Sequence, residues 1–214
     1  MSDVSWHEWR HAVAIFGACA FAAWGLDRLG YRPISWTCML ELPWTHTLHA
    51  HAPHARVARE DDAFTLALLD TALSKRRREM GDTRFDRPRD VDALAASAMA
   101  AHLRQLSPTG DILELIGLDH RGFISIGATF AASPLDPPFA PRVRATLARV
   151  SLADGASAHE VLPPIIALAT RLAAARGALS LEIADLSAPG SALFDAAIAC
   201  GAAAWSRIVA IVPP

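Results

Sequence analysis

Hydrophobic residues in this chain fall into blocks whose spacing switches between helical and extended. "EDDAFTLALLDTALSKRRREMG" (60–81) carries Phe64, Leu66, Leu68, Leu69 and Leu73 behind three acidic residues and ahead of a basic run. Acid at the start, base near the end and a closing glycine complement the helix dipole, so a helix is predicted here. A second helix, about 89–106, has Val91, Leu94, Met99, Leu103 and Leu106 at helical spacing and stops at "SPTG". "DILELIGLD" and "FISIGATF", joined through "HRG", predict a hairpin over 111–130. After the proline-rich "SPLDPPFAP" come a strand at 143–152, a helix through about Arg176, a strand at 179–185, a helix at 191–200 and a strand at 206–212. With a short strand at 55–59, the order from residue 55 is β-α-α-β-β-β-α-β-α-β. An antiparallel meander followed by helix-separated strands implies one mixed α/β sheet with a parallel part.

Upstream, residues 5–29 read as one alanine-rich helix closed by Gly30, and "RPISWTCMLEL" as a strand over 32–42. "PWTHTLHAHAPHA" then reads as a loop. The expected division is a helix–strand element at 1–45, a linker at 46–54 and a main domain at 55–214. A piece as short as the first cannot bury a core alone. It is expected to pack on the main domain and add its strand to the sheet; the alternative is a homodimer contact through an exposed strand edge.

Composition narrows the partners. A hydrophobic fraction of 52% supplies a core, and a net charge of −2 gives no reason to expect nucleic acid. The basic "SKRRRE" (74–79) reads as a solvated helix end. "AVAIFGACAFAAWGL" (12–26) is about 15 residues, short of the ~20 that span a bilayer, and lacks a basic flank, so no membrane partner is expected. Cys19, Cys38 and Cys200 have no metal spacing and read as buried free thiols in a reducing, cytoplasmic compartment. His46, His49, His51 and His54 could ligate zinc or copper, but a proline-flanked loop without cysteine reads as a polar linker, so no metal site is expected. Asp119 and His120 read as a hairpin turn.

"AAARGALSLEIADL" (173–186), with Gly201 after the next helix, resembles the GNAT acyltransferase superfamily, and the upstream "LDRLGYRPISW" (26–36) resembles the end of such a domain. The likeness covers 55–214 as one GNAT-like domain, with 18–42 like the tail of another, as in a truncated tandem. It implies a GNAT-like mixed α/β fold using acetyl-CoA or another acyl-CoA, with a small-molecule or peptide amine as acceptor. The diphosphate loop then falls on Asp154–His159. The cofactor-binding residues implied are Val150, Leu152, Gly155, Ala156, Ser157, Ala158 and His159. This sequence departs from the pattern at Asp154 (an arginine in the family), Ser157 (glycine), Gly190 (asparagine) and Ala197 (the general-acid tyrosine). Ser157 and Glu160 also form a capping box, in which the helix would cap itself. With no tyrosine at 197, Glu182 and His159 are the candidate acid–base residues, ahead of Glu160, Asp185 and His120. Two readings follow: an acyl-CoA-dependent N-acyltransferase, or an inactive relative serving as a binding, regulatory or assembly module.

Overall fold

The computed structural model describes residues 13–16, 28, 31–45, 54–82, 93–107, 109–134, 143–187 and 189–211. Its strands are β1 (Val13–Phe16), β2 (Tyr31–Glu41), β3 (Ala55–Val57), β4 (Ile112–Leu118), β5 (Ile124–Pro134), β6 (Val143–Leu152), β7 (Ala178–Leu186) and β8 (Ala203–Ile211). The helices are α1 (Ala63–Glu79), α2 (Ala93–Gln105), α3 (Ala158–Ala175) and α4 (Ala192–Ala199). All eight strands form one sheet in the order β1-β8-β2-β7-β6-β5-β4-β3. The β3–β6 pairs are antiparallel, β6 and β7 run parallel, and α3 makes the crossover between them. This is the mixed α/β sheet that the order of hydrophobic blocks predicts.

Alternation along the strands feeds two cores. Leu113, Leu115, Phe130, Leu147, Leu181 and Ile183 turn to one face, where Val161, Leu162, Ile165 and Ile166 of α3 and Phe194 of α4 cover them. Ile116 turns to the other face, against Ala63 and Leu66 of α1 and Leu103 of α2. Each large aliphatic side chain so buried contributes about 1.5–3 kcal/mol. The first core is the larger, and α3 sits at its centre.

The N-terminal part holds the main departure from expectation. Residues 5–29 read as a helix, but Val13–Phe16 is a strand, paired antiparallel with β8. "VAIF" is too short for its period to separate strand from helix, and tertiary pairing decides it. Arg28 is helical, and the rest of that stretch, Cys19 included, lies outside the described residues. The linker histidines 46, 49 and 51 lie outside them too, while His54 is described: its carbonyl accepts the amide of Leu118 at 2.8 Å. Among the described residues no helix is long and apolar enough to cross a membrane, and no cluster of metal-ligating side chains occurs.

Strand β2 does not lie at an edge. It is inserted between β7 and β8, antiparallel to both, with Trp36 opposite Leu186 and Glu41 opposite Ser180 on one side. Cys38 and Leu40 enter the main core at 0% and 2% exposure, so the upstream element completes the interior of the sheet.

The basic run at 74–79 also departs from its reading as a solvated helix end. Ser74 and Arg77 are buried, Arg77 to 1% exposure, and its Nη1 donates to the carbonyl of Ile34 on β2 at 2.8 Å. Arg76 reaches the carbonyl of Leu152 at the end of β6, where its Nη2 donates at 3.0 Å. Sequence shows only the charge; where the helix end lands is set by the sheet beneath it.

Candidate functional site: the gap between β6 and β7

Parallel strands separated by a crossover helix share only part of their length here. With a register shift between Val143 and Ala145, β6 and β7 pair from Val143 opposite Ala178 to Leu147 opposite Ile183. Beyond that point β6 runs on to Leu152 and β7 to Leu186 without pairing to each other. Each strand carries one non-glycine residue in the left-handed region just past the last pair: Arg149 at φ 52° and Asp185 at φ 58°. An L-residue there costs about 1–2 kcal/mol, so something must hold it. Arg149 is held by Asp70 of α1, its Nε donating to Oδ1 at 3.0 Å and its Nη2 to the same oxygen. Asp185 accepts from the hydroxyl of Ser35 on β2 at 3.4 Å. The register shift of β5 against β6 falls at the same place, as a bulge does. The two strands therefore diverge, and their backbone groups in the gap are not used in a ladder between them.

The turn after β6 stands at the mouth of this gap. Gly155 has φ 78°, and a Cβ built there would meet no heavy atom within 4 Å, so the backbone is open to close approach. Ser157 is the N-cap of α3, yet its side chain makes no cap hydrogen bond, so the self-capping expected from Ser157 and Glu160 does not form. Glu160 N–H donates to the Ser157 carbonyl at 3.1 Å and Ala156 N–H to that of Ala153 at 3.1 Å. The first amides of a helix have no partner within the helix, and their dipoles favour an anion. Pro163 and Pro164 are accommodated inside α3.

The implied cofactor residues fall into two groups. Gly155, Ser157 and His159 are exposed and Ala156 half-buried at the turn, whereas Ala158 and Val150 are buried. Val150 has its side chain in the main core, so only its backbone is on offer to a ligand. Leu152 is half-buried, and its carbonyl is engaged by Arg76. Of the two acid–base candidates, His159 is exposed at the start of α3. Glu182 is opposite Thr146, one step before the last pair, and bound to Arg144, whose Nη2 donates to Oε2 at 2.6 Å. Ala197 is fully buried and presents only a methyl group. Asp119 serves its turn: the amides of Phe123 and Arg121, bonded to Oδ1 at 3.0 and 2.8 Å, hold its carboxyl below the usual range.

Two features of this region are absent from the sequence reading. Arg76, on α1, stands beside the turn, Nη1 3.9 Å from Asp154 Oδ1. Glu114 on β4 lies on the face towards α1 and α2, where Thr129 Oγ1 donates to its Oε2 at 3.0 Å and His102 Nε2 lies 3.2 Å from Oε1. Burial raises its carboxyl above the ordinary range, against the pull of Thr129 and His102. Thr129 is opposite Ala148, the residue preceding the bulged Arg149, so Glu114 is two strands, roughly 10 Å, from the gap. A carboxylate within an apolar-looking "ILELIGL" gives no signal of either burial or this row of contacts.

A separate cavity of about 620 Å³ lies at the other end of the sheet, lined by Met39, Trp44, Glu41 and Cys200 among others. It is where β2 ends and α4 ends, away from the divergence. Cys200 there and Cys38 in the core are free, and burial pushes both thiols up to about 11.

No family model matches the chain, and no curated protein matches it in sequence. Solved structures do match it in fold. A GCN5-related N-acetyltransferase from Sphaerobacter thermophilus aligns over 95% of this chain and 62% of its own, with TM-score 0.51 and 15% identity. A probable acetyltransferase aligns over 69% of this chain and 88% of its own, with TM-score 0.51 and 12% identity. The chain has the fold of the GNAT acetyltransferases, and it spans about six-tenths of the Sphaerobacter protein's length.

Proposed function

We propose that this chain, built on the GNAT fold, binds an acyl-CoA across the mouth of the β6–β7 gap and transfers its acyl group to an amine. The observation that carries the reading is the divergence after Leu147 and Ile183, with a left-handed residue on each strand and an open glycine turn at its mouth. Strained backbone of this kind clusters at ligand sites, and both residues sit just past the point where β6 and β7 stop pairing. The turn fits a diphosphate: Gly155 leaves the room and the amides at the start of α3 supply the donors.

Bound there, the cofactor supplies an activated thioester carbonyl. The residues Gly155–His159 would hold its diphosphate, and backbone groups of β6 beyond Leu147 that are not paired with β7, around Val150 and Leu152, would hold the arm beside the sheet. Positioning accounts for much of the rate, since fixing an amine against a carbonyl replaces a bimolecular encounter. The proton lost by the amine needs an acceptor. Glu182 is nearer the gap but its carboxylate is neutralised by Arg144, whereas Glu114 beside His102, roughly 10 Å away, has a carboxyl raised by burial and would need a relay to reach the amine. No tyrosine stands at 197, so a proton for the departing thiolate comes from water or from His159 at the mouth.

A thermal-shift titration of the full chain with acetyl-CoA tests the reading. A ligand at a hundred times its Kd stabilises by about 2.7 kcal/mol, a shift of several degrees. An unchanged melting temperature at millimolar acetyl-CoA sinks it and leaves a binding or assembly module on the same scaffold. Release of free thiol with a panel of amines then tests transfer.

A further inference from the structure

Asp154 puts a carboxylate where a diphosphate is to bind, and the GNAT-like loop carries an arginine at that position. The fold replaces that charge from another element. α1 crosses the mouth of the gap, and its last turn sends two consecutive arginines to opposite sides: Arg76 to the Leu152 carbonyl at the end of β6, and Arg77 to the Ile34 carbonyl on β2, beyond β7. Arg77 is buried and acts as a strut. Arg76 is about half exposed and stands at the turn itself.

We propose that Arg76, carried in by α1, is the cationic partner of the cofactor diphosphate that the loop lacks at Asp154. The assignment rests on the acyl-CoA reading above and adds the residue that makes it electrostatically workable. The hydrogen bond to Leu152 uses one of a guanidinium's five donors and anchors the group at the end of β6, 3.9 Å from Asp154, the residue that precedes Gly155 in the turn. Asp154 is almost wholly exposed, and its separation of 3.9 Å from Arg76 is a loose ion pair between solvated groups. An entering diphosphate carries more charge and binds a guanidinium with charge-assisted, paired hydrogen bonds, so it displaces Asp154. The aspartate then acts as a weak competitor, and removing it helps the cofactor.

The test is calorimetric titration of the full chain with CoA and, in parallel, with S-acetylpantetheine, which has the thioester arm and no diphosphate. Arg76→Gln is expected to weaken CoA about tenfold or more and to leave S-acetylpantetheine unchanged. Asp154→Asn is expected to tighten CoA a few-fold, and raising the salt is expected to weaken CoA less in Arg76→Gln than in the parent. If CoA binds the parent and Arg76→Gln binds it within twofold, the role of Arg76 is overturned while the cofactor reading stands. Equal weakening of both ligands also overturns it, because the arginine then supports the fold rather than the phosphates. If the parent binds S-acetylpantetheine but not CoA, the cationic partner is refuted and the gap is an arm site only. Binding of neither removes the acyl-CoA reading itself.

Discussion

Strand β7 has two neighbours and meets them differently. Against β2 it pairs to its last residue, Leu186 opposite Trp36, with a register shift that takes up Asp185; against β6 it is paired only as far as Ile183 and then turns away. The closed side is antiparallel, is made by a segment from the other end of the chain, and buries Cys38 and Leu40. The open side is parallel, carries a left-handed residue on each strand, and faces a glycine turn. A strand with one side sealed can give up hydrogen bonds on the other without becoming an edge. The upstream element is thus what lets the gap exist within a stable sheet.

Removing the closed side is the harshest way to break this contrast. A chain lacking residues 1–45 leaves β7 and β8 without the strand between them and strips Ile34, Cys38 and Leu40 from the interior. At about 1.5–3 kcal/mol for each large side chain, plus three lost ladders, the loss rivals a whole domain's 5–15 kcal/mol. The expected outcome is no cooperative thermal transition by circular dichroism. A cooperative melt near that of the full chain would show that 55–214 folds alone and that β2 is an accessory.

Next in size is the ion pair that holds the open side. Asp70→Ala leaves the Arg149 guanidinium beside α1 without that carboxylate, at about 1–2 kcal/mol once its partial exposure is allowed for. Ser35→Ala on the closed side loses only the 3.4 Å contact to Asp185 and is expected to cost below about 0.5 kcal/mol. Urea midpoints for the two variants measure the difference. Acetyl-CoA affinity should fall with the first and stay with the second; equal effects would remove the special status of the bulge.

A pair of glycines separates backbone strain from ligand contact. Gly155 and Gly201 both have positive φ, 78° and 88°, and both have open space where a Cβ would stand. Alanine at either should cost about 1 kcal/mol for the same conformational reason. Only Gly155→Ala is expected to weaken CoA, about tenfold, because only that turn opens α3 at the gap. Parallel losses of affinity in both variants would take the diphosphate away from this turn.

The closed and open sides of β7 were not equally legible in the sequence. The strand at 143–152 was readable to the residue, because alternation with Ala145 and Leu147 inward is a local signal, even though the bulge at Arg149 shifts the next inward residue to Val150. The hairpin, the crossover helix and the mixed sheet follow from local signals as well. The place of β2 between β7 and β8 does not, since pairing partners distant in sequence leave no mark on either segment. Nor does the divergence: Arg149 is a residue type that normally avoids positive φ, aspartate tolerates it without requiring it, and the fold around Arg149 and Asp185 imposes it. "SKRRRE" misled for a related reason. Charge shows at once in a sequence, whereas burial of Arg77 and the reach of Arg76 depend on where α1 ends over the sheet.

The smallest expected effect concerns Glu114, two strands from the gap and part of neither side. Four groups face it or lie close by: His102 from α2, Thr129 from β5, Asp70 from α1, and Arg149 bound to Asp70. Desolvation is the largest influence and raises its carboxyl in the folded state. Between the unfolded and folded pKa the native chain therefore holds more proton than the unfolded one. This contribution is present at acid pH and is lost as pH rises through the folded value. Glu114→Gln keeps an oxygen to accept from Thr129 and never ionises. Relative to the parent, the variant should gain stability as pH goes from 4.5 to 8, by about 1 kcal/mol or less. Urea midpoints of both proteins across that range decide it. A parent that gains on the variant with rising pH would mean that His102, as a cation, outweighs burial. Glu114 would then be an ion-paired carboxylate like Glu182, poorly suited to take a proton from an amine.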